Sequence, residues 1–528
     1  MEHHGFESYY VIGEGLLGES GPGRTRTLSD AAERAIPPFR FSRMGPSGAN
    51  LQLLDPNRKK VGVAMTSVPS GQSNVPAGFT YLGQFIDHDL TFDKTSVTFG
   101  AFITPAQLIQ GRSPSLDLDS LYGAGPQDPV SAKFYEADGL HLKMGDTVAA
   151  FGDAGRPKTD LPRAGTGSNN AAKRTAVIPD PRNDENLAVA QTHLAMIRFH
   201  NRVVDTLPGT VPAAQKFATA RDLVTRHYQW MIRTDFLPRL VKQRPITDVF
   251  TNGRKAFEVG ATPTDVPTMP IEFSVAAYRL GHSMIRDAYN WNKNFEAGGG
   301  TLDLLFTFSG LSGDLGGNLK LPANWIADFR RLYDFGEAGR ADLVVPAAKF
   351  NRAMRIDTKL ANPLQFLPTQ TLNLPASTPF NDPQLNLAFR NLTRARMVKL
   401  ATGQQMLRFL KGKGVVMSGL TKAQIRDGNG GATLDTLTAT QRDAFLKNTP
   451  LWFYVLREAE LNNGKLRGVG GRIVAETFHR AMEGSTSSIV RDPAWRPTLG
   501  PNNTTFRMVD LLLFAFEGKK NLLNPLGN

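Results

Sequence analysis

The chain has 528 residues, of which 41% are hydrophobic and 21% charged, an ordinary composition for a folded globular protein and long enough to bury a large core. It contains no cysteine, which excludes disulfide scaffolds, thiolate metal sites, c-type haem attachment and cysteine nucleophiles. A net charge of +13 favours anionic partners or surfaces, including polyanions. No basic block or reader motif for a specific nucleic acid accompanies it, so the excess reads first as a cationic enzyme surface.

Residues 1–38 show weak patterning and are expected to form an N-terminal arm, with one large domain over 39–528. Met1-Glu2-His3-His4-Gly5 has neither a basic nor an apolar region of the secretory kind, so a soluble protein without a visible signal peptide is expected, cytoplasmic or exported by a non-classical route. Within the arm lies Gly13-Glu14-Gly15-Leu16-Leu17-Gly18. A dinucleotide fingerprint needs a strand before it and a helix after it, and Ser20-Gly21-Pro22-Gly23 breaks any such helix.

Helical periodicity dominates beyond the arm. Leu187, Ala190, Leu194, Ile197 and Val204 keep a three-four spacing, as do Phe217, Val224, Tyr228, Met231 and Phe236, which predicts two long amphipathic helices. Further helices are predicted near 271–288, 385–410, 438–461 and 471–483, while strand signals are short and scattered. With 50 glycines and 34 prolines, long loops must join these elements. The fold class expected is mainly α, a single large domain with long loops and few short strands. Asp427-Gly428-Asn429-Gly430-Gly431 lacks the acidic series of a calcium loop and reads as a turn. The apolar run Val509 to Phe516 is far short of the ~20 residues that cross a bilayer, so no transmembrane segment is expected.

Four clusters carry chemistry. Gln84-Phe85-Ile86-Asp87-His88-Asp89 sets a histidine between two acids, which suits orienting an imidazole, ligating a cation or capping a helix. In Asp180-Pro181-Arg182-Asn183-Asp184-Glu185, Arg182 and Glu185 face the same way if helical, about 5–6 Å apart at Cβ; the plain reading is an exposed ion pair at a helix start. His193 and His200 lie two turns apart on the next helix, and without HExxH spacing they read better as buried, hydrogen-bonded histidines than as metal ligands. The third cluster, Val275 to Met284, interrupts an apolar helix with Arg279 and His282 on one face, and the fourth, Leu387 to Arg394, offers another polar pair, Asn391 and Arg394. Each alone is ambiguous.

In their order and spacing these clusters, with Phe199-His200-Asn201-Arg202, resemble the animal haem peroxidases of the peroxidase-cyclooxygenase superfamily over about residues 40–520. Gly470-Gly471-Arg472-Ile473-Val474-Ala475-Glu476 and Asp492-Pro493-Ala494-Trp495-Arg496-Pro497 are similar to bacterial members. The resemblance implies a peroxidase that reduces hydrogen peroxide and oxidises halide, thiocyanate or small aromatic donors through a ferryl intermediate. His88 would be the distal base, Arg182 the distal cation, Gln84 the distal glutamine, His282 the proximal iron ligand and Asn391 the acceptor of its hydrogen bond. Asp87 and Glu185 match the acids that esterify haem methyls, so a covalently bound haem b is implied, and Arg279 and Arg394 match cations near the propionates and the proximal side. Asn186 stands where one branch has a methionine that makes a third link, which disfavours chloride as donor.

A calcium ion is implied as well. Ser113, Ser115 through its carbonyl, Asp117 and Asp119 alternate oxygen-bearing residues as a hard cation requires, and Asp89, next to His88, completes the matching set. Two alternatives remain. A fatty-acid oxygenase of the cyclooxygenase branch would carry a tyrosine three residues before the proximal histidine; here that position is Arg279, with Tyr278 off by one. A non-catalytic, cationic surface- or matrix-binding protein on the same fold would explain the charge but not the filled catalytic positions.

Overall fold

The computed structural model describes residues 39–48, 55–66 and 71–528, apart from 96, 263, 373 and 376. The expected arm and its glycine motif lie outside these residues. The fold is mainly α, as expected, with pairs of very short strands: β1 (Phe41–Ser42) lies parallel to β3 (Met269–Pro270), β2 (Gln72–Pro76) antiparallel to β6 (Arg352–Met354), and β4 (Ala288–Tyr289) antiparallel to β5 (Gly300–Thr301). No described helix is long and apolar enough to cross a membrane.

Helix α1 (Asp55–Met65) crosses a later helix at Gly62, where a Cβ would stand 3.1 Å from the Phe389 backbone nitrogen, so a side chain there would press the two backbones apart by a few tenths of an ångström. Helix α2 (Gly78–Leu90) is buried at every residue except the half-buried Asp87. Such a helix is ordinarily apolar all round, so Gln84, His88 and Asp89 need partners inside the protein. Helix α3 (Leu187–Thr206) is capped by the Asn186 side chain, which accepts from Val189 N, and its periodic apolar residues are buried. Helix α4 (Lys216–Met231) continues through a π-helical stretch, Ile232–Phe236; Pro238 follows and has no N–H to sustain an α-helical ladder. Helix α5 (Gln243–Asn252) leads toward β3.

The predicted helix at 271–288 is instead three short pieces, Ile271–Ser274, Ala277–Leu280 and α6 (Gly281–Met284). Side chains satisfy carbonyls that the break releases: Arg279 Nε donates to Ser274 O at 3.0 Å and Trp452 Nε1 to Arg279 O at 3.3 Å. The segment 385–410 splits into α7 (Leu387–Met397) and Gly403–Gly412, because Lys399 takes a left-handed φ of 47°. The segment 438–461 splits at Pro450 into Ala439–Lys447 and α8 (Leu451–Glu460). Helices α9 (Val469–Glu483) and α10 (Met508–Ala515) complete one contiguous core, and α10 is the apolar run noted in the sequence. The 427–431 segment is a turn, with Asn429 N and Gly431 N donating to Glu460 Oε1.

Candidate active site

His88 and its neighbours gather on the wall formed by α2 and the 180–186 turn. The Nδ1 of His88 lies 2.9 Å from Asn183 Oδ1. Since an amide oxygen only accepts, Nδ1 carries the proton and Nε2 is the basic atom; Nε2 is 3.8 Å from Glu185 Oε1. Burial, aided by the charge of Arg182, lowers the His88 pKa to about 3, so the imidazole is neutral at working pH. Arg182 is fixed by Asp180, with Nε to Oδ1 at 2.9 Å and Nη2 to Oδ2 at 2.6 Å, and donates from Nη2 to His88 O at 3.0 Å. It does not form the exposed pair with Glu185 that the spacing suggested: both residues are 0% exposed. Gln84 donates to Glu185 Oε1 and accepts from Asn186 Nδ2 at 3.0 Å.

His282 stands on α6, which packs against α2. Its Nδ1 is 2.8 Å from Asn391 Nδ2 on α7, and Trp452 on α8 packs edge-on at 6.1 Å between ring centroids. Asn391 Oδ1 meanwhile accepts from Arg279 Nη1. Arginine only donates, so the amide nitrogen is left to face His282, the reverse of the expected direction in which Asn391 accepts. Arg279 and His282 lie either side of the junction between the Ala277–Leu280 turn and α6, and both reach Asn391, as the sequence suggested for a shared face. Arg394 pairs with Asp93 at 2.6 Å.

Asp87 feels charges from both groups. Burial raises its pKa to about 6 against the opposing charges of Arg182 and Arg279. Burial also pushes the Glu185 carboxyl well above the carboxylate range, and its Oε2 is buried with no hydrogen-bond partner among the described residues.

The acidic loop adjoins the His88 wall. Asp89 accepts from Ser120 Oγ at 3.1 Å and Leu118 N at 3.3 Å, and Leu118 holds a left-handed φ of 58° between Asp117 and Asp119. Burial and the charges of Asp119 and Asp117 raise the Asp89 pKa well above normal. Asp119 Oδ2 accepts from Ser113 N, while Asp117 Oδ1 turns to Ser485 Oγ at 2.6 Å. Ser115 N donates to Ser113 Oγ at 3.3 Å. Among the described residues no three histidines or acids are gathered at metal-ligand spacing. Arg112 lies 3.6 Å from Asp119 Oδ2 and bonds Asp180, tying this loop to Arg182.

The sequence reading missed Asn183, Asp180 and Arg112 as partners. Asp180, directly before Pro181, carried a helix-start signal, and its side chain does accept from Arg182 N. His200 is a buried, hydrogen-bonded histidine as expected, with Tyr122 Oη at 3.0 Å and Leu140 O at 2.8 Å. His193 is buried, but neither ring nitrogen has a hydrogen-bond partner among the described residues.

The fold is the helical one of solved peroxidase and dioxygenase structures. Residues 98–309 match the family model for animal haem peroxidase, a segment that includes Arg182, Glu185 and His282 but not His88 or Asn391. Thyroid peroxidase of Mus musculus is 27% identical over 191 residues, which are 34% of this chain and 20% of that protein; the match thus spans about a fifth of the relative's length. Peroxidase A from Dictyostelium discoideum superposes with a TM-score of 0.56 at 16% identity, covering 98% of both chains, and Oryza sativa fatty acid alpha-dioxygenase with 0.53 at 11%, covering 88% of this chain and 76% of its own. Residues 98–309 are thus similar to the animal haem peroxidase family, and the described chain has the fold of Peroxidase A.

Proposed function

We propose that this protein is a haem peroxidase that reduces hydrogen peroxide and oxidises bromide, iodide, thiocyanate or small aromatic donors. The observation that supports this reading is a pair of buried imidazoles, each contacted at Nδ1 by an asparagine amide, with the Asp87 carboxyl under the charges of both Arg182 and Arg279. These donors fit a porphyrin. His282 would ligate the iron, and Asp87 and Glu185 would hold the macrocycle by ester links. An ester suits Glu185, because it removes the need to bury a charged carboxylate with an unpartnered oxygen. Bound haem would supply the redox centre that accepts oxidising equivalents from peroxide and passes them to the donor.

The chain's own residues do the rest. Neutral His88 takes a proton from peroxide at Nε2 and returns it to the departing oxygen. Arg182, held rigid by Asp180, stabilises the negative charge that develops as the O–O bond breaks. Presenting Nε2 of His282 to a metal requires the proton on Nδ1, so Asn391 must turn its oxygen to His282 and Arg279 must release it; a haem propionate is an acceptor that Arg279 would take instead. Asp89, Ser113, Ser115, Asp117 and Asp119 would hold Ca2+, supported by the raised pKa values of the three acids, burial being the largest cause in each. Asp117 would then exchange Ser485 for the cation.

The oxygenase alternative receives no comparable support: Tyr278 Oη donates to Gly83 O at 3.3 Å and its ring stacks on Phe273 at 4.5 Å. The test is haem extraction with acidified acetone together with a peroxide-dependent donor assay. The reading expects haem that stays with the protein and turnover that needs peroxide. Freely extractable haem would refute the ester links, and absence of haem despite its supply would refute the peroxidase.

A further inference from the structure

A cavity of about 1150 Å3 lies away from the candidate active site, between α5, the 415–418 segment and the turn at 462–468 that leads into α9. Five cations line it, Lys242, Arg244, Lys255, Arg467 and Arg472, against a single carboxylate, Asp248. That carboxylate is already used: it pairs with Arg472 and with Lys255 at 3.7 Å, and Oδ1 accepts from Asn252 Nδ2 at 2.9 Å. Arg472 is 1% exposed, its Nε donates to Glu476, and its Nη2 is buried without a hydrogen-bond partner among the described residues. Glu476 offers no relief, since it also accepts from the backbone nitrogens of Lys255, Ala256 and Phe257. The Gly470-Gly471-Arg472 stretch brings this arginine in: a Cβ on Gly471 would meet Pro245 Cγ at 3.2 Å, so α9 begins hard against α5.

The remaining wall is apolar, built from Val415, Met417 and Val416, which is 77% exposed. A bare inorganic anion would leave that wall and most of the volume unused, since cavities of roughly 300–1,000 Å3 suit whole organic ligands. We propose that this cavity binds an amphipathic anion, a carboxylate or phosphate head at Lys242, Lys255 and Arg472 with an apolar body along Val415–Met417. The head would supply the acceptor that Arg472 Nη2 lacks, and the local excess of positive charge would draw it in.

Calorimetric titration of the full chain with laurate, inorganic phosphate and dodecanol tests this. The expected result is one saturable laurate site, tighter than for phosphate or dodecanol by about tenfold or more. Lys242→Glu with Lys255→Glu should weaken laurate at least about tenfold, and Val416→Asp, on an exposed side chain, should weaken laurate but not phosphate. Peroxide turnover should be unchanged in these variants, which separates this site from the candidate active site. Phosphate binding as tight as laurate, dodecanol binding as tight as laurate, or laurate binding indifferent to all three substitutions would each overturn the proposal.

Discussion

The wall that carries His88 and the wall that carries His282 hold their imidazoles by different means. On the His88 side, Asn183 fixes the ring and a row of alternating charges, Arg182, Asp180, Arg112 and Asp119, runs back to the acidic loop. Burial opposes ionisation of Asp180, yet Arg182 and Arg112 hold its pKa far below the carboxylate range, so the row stays charged. On the His282 side, Asn391 contacts the ring, Arg279 holds the Asn391 oxygen, and Trp452 packs edge-on. Each ring is thus met by an asparagine, backed by a row of charges on the His88 side and by Arg279 and an aromatic ring on the His282 side. Substitutions around His88 should therefore disturb charge balance, and those around His282 the retention of haem.

The largest expected effect is that of His282→Ala, which should abolish stable haem retention, read from the haem-to-protein ratio after purification. His88→Ala should retain haem while slowing peroxide cleavage by about 10²–10⁴-fold, measured by stopped-flow; unchanged rates would erase the contrast between the walls. Asp180→Asn leaves Arg112 and Arg182 buried without their shared carboxylate and should cost about 3–5 kcal/mol in denaturant unfolding. Removing Ca2+ with a chelator should lower Tm and loosen His88 before any haem is lost, because ion binding stabilises only the folded loop; an unaltered melting curve would count against the calcium assignment. The smallest effect concerns His193. Burial lowers its pKa from 6.5 to about 3, so the unfolded chain binds the proton more readily. The stability this neutral ring permits is full above about pH 6.5 and is lost as pH falls toward 3. His193→Phe should flatten that acid limb, and a limb of unchanged slope would show that other groups control it.

Much of this was legible in the sequence where the signal is local. Apolar periodicity located α3 and α9, and two of the four polar clusters supplied the buried histidines His88 and His282. The breaks in other helices were not legible, because Lys399 adopts a left-handed φ for reasons outside its own segment, and two-residue strands such as Phe41–Ser42 are too short to alternate. Pro450 was a local stop signal that the apolar pattern on either side concealed. Within the site, Arg182 and Glu185 were placed on one face by spacing, but spacing alone could not show that Asp180 takes Arg182 while Gln84 takes Glu185. The direction of the Asn391 hydrogen bond depends on Arg279, a residue 112 positions away, and no local pattern encodes it.

The most direct measurement is haemin titration of the cysteine-free chain alongside His282→Ala and His88→Ala, followed by electron paramagnetic resonance of the ferric forms. A porphyrin held between the two walls requires one haem per native chain, a nitrogen-ligated ferric signal that persists in His88→Ala, and its loss in His282→Ala. The same nitrogen-ligated signal in His282→Ala, or no uptake of haemin by the native protein, would contradict it.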